Sequence, residues 1–156
     1  MQKEERELIV LMGMQGAGKT YYCQTALLDY ERISQDEGPR SYRGVLLRLG
    51  ELLRIGVPRI VIDRTNPVRS QRQEFAALAR AAGYRVKIIY FDTPVEICQE
   101  RIRQRKGHPT LVQDRMHEAM TQYALKLDIP KPEECYELIT IGSCSIQMMP
   151  SKPAAI

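Results

Sequence analysis

One short segment constrains this chain more than any other. It is the apolar run Leu8-Ile-Val-Leu-Met12, closing directly on Gly13-Met-Gln-Gly-Ala-Gly-Lys-Thr20. A continuous apolar run of that length suits a strand buried on both faces. The glycines that follow admit backbone conformations other residues resist, so successive N–H groups can converge on an anion. The segment fits G-x-x-x-x-G-K-[ST] at every fixed position, with a strand before it and a helix after it, and the chemistry of that pattern is phosphate binding. A helix expected from Gly18 to about Asp29 adds its positive end. Lys19 is placed to reach terminal phosphates, and the Thr20 hydroxyl to ligate Mg²⁺. The bland alternative is a glycine-rich turn with an accidental lysine. The expected cradle for ATP therefore comprises Gly13, Met14, Gln15, Gly16, Ala17, Gly18, Lys19 and Thr20, with Tyr21 beside it.

Beyond the cradle, strand-like and helix-like segments alternate. A short strand is expected at Tyr30 to Ser34. From about Arg40 to Ile55 the apolar positions Val45, Leu46, Leu49, Leu52 and Leu53 mark an amphipathic helix, which Gly56 can end. Arg59 to Ile62 reads as another buried strand, closing on Asp63. Asn66 as N-cap and Pro67 at the first helical position then predict a helix carrying Phe75, Leu78, Ala79 and Ala82. Val86 to Phe91 is a further strand. Thr93-Pro-Val-Glu96 has the pattern of a capping box, with a helix running on to about Arg105. Thr110 to Gln113 can cap one more helix, whose Met116, Met120, Tyr123 and Leu127 form a core stripe, and Tyr136 to Ile141 is the last strand. Such alternation implies right-handed crossovers and a parallel, three-layer α/β/α sheet. Ligands in such sheets bind beyond the carboxyl ends of the strands. The segment from Gly13, together with Asp36, Asp63 and Asp92, falls on that edge.

A phosphate cradle by itself does not separate a motor, a switch and a kinase. The base-reading N-K-x-D of GTPases is missing from the sequence, and the third strand ends in a single acid rather than a D-E pair. The short chain and the arginine-rich segment near Arg101 favour a compact kinase. In a kinase Asp63 would hold a water of the Mg²⁺ shell, or else merely cap the next helix. Asp36, in Ser34-Gln-Asp-Glu37, would orient an attacking hydroxyl and accept its proton, or else be a solvated loop residue. Arg101 and Arg105, four residues apart, share a helix face and suit a lid over ATP phosphates, spanning about 101–112. The alternative is a solvated basic face. Arg69 and Arg72 are three apart and face the same edge as Asp63 in this reading, or else form surface salt bridges.

Composition sets the outer bounds. The chain has 156 residues, with 44% apolar and 27% charged residues, which fits one globular domain over 1–147 and a short tail over 148–156. The net charge of +4, rich in arginine, suits an anionic ligand. The four cysteines, Cys23, Cys98, Cys135 and Cys144, have no C-x-x-C spacing, so buried reduced thiols are expected rather than a zinc site. No apolar run of membrane-spanning length and no signal-peptide pattern occurs, which gives the expectation of a cytoplasmic protein with no membrane partner.

Gly13 to Thr20, Ile33-Ser-Gln-Asp36, Val61-Ile-Asp-Arg-Thr-Asn-Pro67 and Phe91-Asp-Thr-Pro-Val-Glu96, leading to Arg101 and Arg105, together resemble the 5′-kinase domain of phage-type polynucleotide kinases. The wider group is that of small AAA-type and zeta-toxin-like kinases. The resemblance covers residues 8 to about 128. It implies an adenylate-kinase-like fold with a five-stranded parallel sheet in the order 2-3-1-4-5. It implies transfer of the ATP γ-phosphate to the 5′-hydroxyl of DNA or RNA. In that reading Lys19 and Thr20 serve the phosphates and Mg²⁺, Asp36 is the general base, and Arg105 is the lid arginine. Asp63, Arg69 and Arg72 join the substrate side. The family often has an arginine three residues after the base, where this chain has Pro39, with Arg40 adjacent. A small hydroxyl-bearing metabolite, such as a nucleoside, sugar acid, antibiotic or sugar nucleotide, is the alternative acceptor. An ATPase or binding module without an acceptor is the third reading.

Overall fold

Alternate residues of one strand feed two separate cores. In strand β1 (Glu7–Gly13), Leu8, Val10 and Met12 point into one core while Ile9 and Leu11 point into the other. All five are at most 1% exposed, which is why the sequence there reads as unbroken apolar rather than alternating. The computed structural model describes residues 4–35, 38–104 and 110–142, with 110–114 as backbone only.

The remaining elements are α1 (Lys19–Ala26), β2 (Glu31–Ser34), α2 (Tyr42–Ile55), β3 (Arg59–Asp63), α3 (Arg69–Ala81), β4 (Arg85–Asp92), α4 (Val95–Arg103), α5 (Thr110–Lys126) and β5 (Glu137–Gly142). A short 3-10 turn, Pro132–Glu134, precedes β5. All strand pairs are parallel and the sheet order is β2-β3-β1-β4-β5. This is the expected three-layer α/β fold. Helices α2 and α3 cover one face through Val45, Leu49, Leu52, Phe75 and Ala79. Helices α1, α4 and α5 cover the other through Cys23, Cys98, Ile102 and Met120. The cradle thus leaves the sheet from its central strand, with supporting strands on both sides.

Several helix starts differ from the sequence expectation. Asn66 and Pro67 do not open α3. The Asn66 side chain turns inward and donates from Nδ2 to the Leu11 carbonyl at 2.7 Å, with its backbone at φ 48°. The helix begins two residues later, after Val68, and its Arg69 N–H is capped by Asp128 Oδ2 at 3.0 Å. Thr93 makes no capping box, because its hydroxyl donates to the Ala17 carbonyl at 3.2 Å, and α4 starts after Pro94. Ser41 caps α2 by accepting from the Gly44 N–H at 3.0 Å, so that helix begins at Tyr42, close to the expected start. Helix α1 stops at Ala26 and not at Asp29. Tyr136 lies outside β5 and is exposed. The Gly56 stop holds, with φ 86° and its N–H on the Leu52 and Leu53 carbonyls.

Candidate functional site

The backbone of Gly13 to Thr20 curls around a space at the tip of β1. Gly16 has a positive φ of 81°, and a Cβ there would lie 2.7 Å from the Cys98 carbonyl oxygen of α4. Gly18, at φ 107°, is the residue from which α1 springs. At Gly16 only glycine satisfies both the conformation and the close approach, and at Gly18 the conformation alone favours it. Lys19 does not extend into solvent. Its Nζ donates to the carbonyls of Gly13 at 2.7 Å and Met14 at 2.8 Å, and the residue is 8% exposed. The ammonium is therefore held across the mouth of its own loop.

Neighbouring elements brace this loop. The Thr93 hydroxyl holds the Ala17 carbonyl, and Arg101 Nη1 donates to the Gly16 carbonyl at 3.2 Å. Gly13 N–H donates to the Thr65 carbonyl at 3.1 Å, which ties the loop to the tip of β3. Tyr22 meets Phe91 edge-on with ring centroids 5.6 Å apart, whereas Tyr21 is half exposed. Gln15 Oε1 is buried with no hydrogen-bond partner among the described residues.

Thr20 and Asp63 meet as the topology requires, since α1 starts at the central strand and β3 is its neighbour. Thr20 Oγ1 donates to Asp63 Oδ2 at 3.1 Å. The same carboxylate oxygen accepts from Arg32 Nε and Nη2, both at 2.8 Å. The Asp63 side chain is only 4% exposed. Sequence reasoning missed Arg32. Its signal was a charged residue in the middle of the edge strand, beside the apolar Ile33. Below this pair the Cys23 thiol is pushed up to about 12, first by burial and then by the Asp63 charge, so it is a neutral packing group.

A hard cation takes oxygen ligands, and Mg²⁺ uses few protein atoms beside phosphates and water. The hydroxyl of Thr20 and the carboxylate of Asp63 are a donor set that fits such an ion. The glycine cradle and the captive Lys19 fit a polyphosphate.

Arg69 and Arg72 are placed differently from the expectation. Arg72 is 1% exposed and every contact it makes is internal: Glu134 Oε1 and Oε2 at 3.0 and 3.2 Å, and the carbonyls of Asn66, Pro67 and Asp128. Arg69 reaches Glu134 Oε2 at 3.3 Å and the Ile129 carbonyl at 2.8 Å. Both guanidiniums fasten α3 to the segment before β5, and Arg72, fully buried, is turned away from any substrate. Arg40 is exposed, and its carbonyl accepts from Gln35 Nε2 at 3.0 Å. Asp36 and Arg105 lie outside the described residues, as does much of the expected lid.

A parallel sheet in this order, with a glycine-rich phosphate cradle at the tip of its central strand, defines the P-loop kinase type of fold. Residues 36–127, more than half of the chain, match the family described as AAA domain, and the chain belongs to that family. Among curated proteins it is similar to the transcription factor bHLH140 of Arabidopsis thaliana, at 29% identity over 88% of this chain and 16% of that protein. It is also similar to the Kti12 homologue of Oryza sativa, at 43% identity over 53 residues, covering 33% of this chain and 18% of that one. The chain thus spans under a fifth of the length of these relatives. Among solved structures, Chaetomium thermophilum Kti12 in complex with ADP-AlF3 superposes with a TM-score of 0.63 at 18% identity, covering 86% and 88% of the two chains. A putative kinase from Chloroflexus aurantiacus gives 0.60 at 16%, covering 94% and 97%. The APS kinase of Mycobacterium tuberculosis, in complex with AMPPNP and APS, gives 0.57 at 16%, covering 88% and 90%. At these identities the likeness is one of fold. Among the described residues no helix is long and apolar enough to cross a membrane.

Proposed function

We propose that this protein is an ATP-dependent kinase that transfers the γ-phosphate to a hydroxyl group, with a polynucleotide 5′-hydroxyl as the first acceptor to test. The observation that carries the reading is the Lys19 ammonium. It is held at 2.7 and 2.8 Å by the carbonyls of its own loop, next to the Thr20–Asp63 oxygen pair. That arrangement pre-positions positive charge where phosphoryl charge spreads in the transition state. Thr20 and Asp63 would hold Mg²⁺, which supplies charge neutralisation at the phosphates. Arg32 keeps the Asp63 carboxylate oriented toward Thr20. Arg101 steadies the loop through the Gly16 carbonyl. Asp36 would orient the acceptor hydroxyl and take its proton, and Arg105 would close over the phosphates from a lid; both roles rest on the resemblance to polynucleotide kinases. A single kinase domain over 1–147 is part of the same proposal.

The test is label transfer from γ-labelled ATP to 5′-hydroxyl DNA and RNA oligonucleotides, run beside a panel of small hydroxyl compounds. We expect labelled oligonucleotide from the wild type and none from Lys19→Ala or Asp36→Ala. Label moving only to a small compound would replace the polynucleotide acceptor. A second reading is a nucleotide-hydrolysing module without an acceptor. In that case ATP turns over slowly, nothing is labelled, and Asp36→Ala leaves hydrolysis nearly intact.

A further inference from the structure

Asp63 Oδ2 carries more donors than a carboxylate oxygen has lone pairs. Thr20 Oγ1 reaches it at 3.1 Å, and Arg32 Nε and Nη2 each at 2.8 Å. A carboxylate offers about two lone-pair sites on each oxygen. The usual guanidinium fork spends one N–H on each oxygen. Here both N–H groups fall on the one oxygen that Thr20 also uses. Topology sets this up. Ser34 and Asp63 are register partners, and Arg32, two residues before Ser34, projects from the same face of β2. Its Nη2 lies 3.4 Å from Ser34 Oγ. The Asp63 side chain is 4% exposed and the Arg32 side chain 21%, so the carboxylate is enclosed while the arginine keeps contact with water.

A buried carboxylate needs a counter-charge, and Arg32 supplies one to Asp63. Thr20 and Asp63 are also the oxygen pair that fits Mg²⁺. The guanidinium and the metal therefore compete, because three donors leave Oδ2 no lone pair for a cation. Mg²⁺ dehydrates reluctantly, and by itself it would gain only these two protein oxygens. Nucleotide phosphates add further oxygens and negative charge, which tips the competition toward the metal. We propose that Arg32 is a gate on the metal site: a resident counter-charge that Mg²⁺ must displace from Asp63, so that the protein takes the metal together with nucleotide and not alone. Arg32 is then a positioning residue that acts through Asp63. The proposal rests on the nucleotide and metal roles read for the cradle, and it does not depend on the identity of the acceptor.

The test needs no phosphoryl transfer. Mn²⁺ is the probe, because its electron-spin resonance signal falls when it binds protein. Titrated into nucleotide-free protein, Mn²⁺ should bind Arg32→Gln about tenfold or more tighter than the wild type, the worth of one charge-assisted hydrogen bond. Arg32→Lys keeps the charge and loses the planar pair of N–H groups, so it should fall between the two. Equal Mn²⁺ affinity in the wild type and Arg32→Gln, or tighter binding by the wild type, overturns the proposal and leaves the kinase reading intact. A lysine variant that binds no tighter than the wild type means that charge acts at a distance without competing for Oδ2, and it overturns the gate as well. Combining Arg32→Gln with Asp63→Asn should remove the gain. A gain that survives the double change puts the ion elsewhere, and sinks both the gate and the metal role of Asp63. Mg²⁺ should also raise the affinity of the wild type for a fluorescent ADP analogue, and no rise sinks the metal reading on which the gate stands. If Arg32→Gln melts too low to assay, Arg32→Lys against the wild type decides the question.

Discussion

Gly16 is the residue at which the cradle has least freedom. Its φ of 81° is one that side-chain-bearing residues rarely adopt, and the Cys98 carbonyl stands where a Cβ would go. Gly16→Ala must therefore strain the backbone and push α4 outward, taking the Arg101 contact with it. A strained non-glycine residue costs about 1–3 kcal/mol. We expect a lower melting temperature, by roughly 2–4 °C for each kcal/mol in a chain of this size. We also expect a loss of ATP affinity of about 5- to 150-fold, the equivalent of the same 1–3 kcal/mol, read by titration of a fluorescent nucleotide. An unchanged affinity would mean that the loop does not shape the nucleotide site. Lys19 shows the complementary economy: its ammonium is satisfied by two carbonyls before any ligand arrives, so it need not search for its position.

At the scale of elements, the join between α3 and the 3-10 turn rests on one carboxylate. Glu134 accepts from Arg72, Arg69 and the Lys131 N–H, and Arg80 reaches its carbonyl at 2.7 Å. Burial alone would raise the Glu134 pKa, but the hydrogen bonds from Arg72, Lys131 and Arg69 outweigh it and hold the group below its ordinary 4.5. The folded state thus prefers the ionised form. Its contribution is complete above 4.5, the unfolded value, and is lost as the pH falls through the lower folded value. Glu134→Gln should leave the Arg72 guanidinium buried without its counter-charge, a loss of about 3–5 kcal/mol. Urea unfolding at neutral pH reads that loss. The same variant should lose less stability than the wild type when acidified below 4.5. Equal acid sensitivity of the two would locate the acid limb elsewhere.

At the scale of the molecule, the candidate nucleotide site and the two cores share one strand. The residues on either side of β1 are buried to 1% exposure or less, and the cradle is its direct continuation. Anything that binds the folded cradle and not the unfolded chain must raise the stability of the whole domain. At a hundred times its Kd, Mg²⁺-bound ATP analogue should add about 2.7 kcal/mol. That is a rise of roughly 5–11 °C at about 2–4 °C per kcal/mol. Lys19→Ala should show little or no rise, and a wild-type protein that shows none does not bind nucleotide at this site.

The sequence by itself determined the fold class, the strand alternation and the cradle, because each rests on local signals. A short unbroken apolar run closing on a glycine suits a strand covered on both faces, and the glycine–lysine–threonine pattern carries its own backbone demands. Gly56 ended its helix as read, and the Met120–Tyr123 stripe is buried. What the local pattern could not decide was where side chains spend their hydrogen bonds. Asn66 and Thr93 have capping chemistry, yet tertiary carbonyls of Leu11 and Ala17 claim them. Arg69 and Arg72 have the spacing of a substrate clamp, yet Glu134, over sixty positions away, takes both. Arg32 and Asp63 are thirty-one positions apart and meet only because β2 and β3 pair in register. A charge pair of that separation has no sequence period to reveal it. The folded sheet, not the chain, decides which arginines are bound internally.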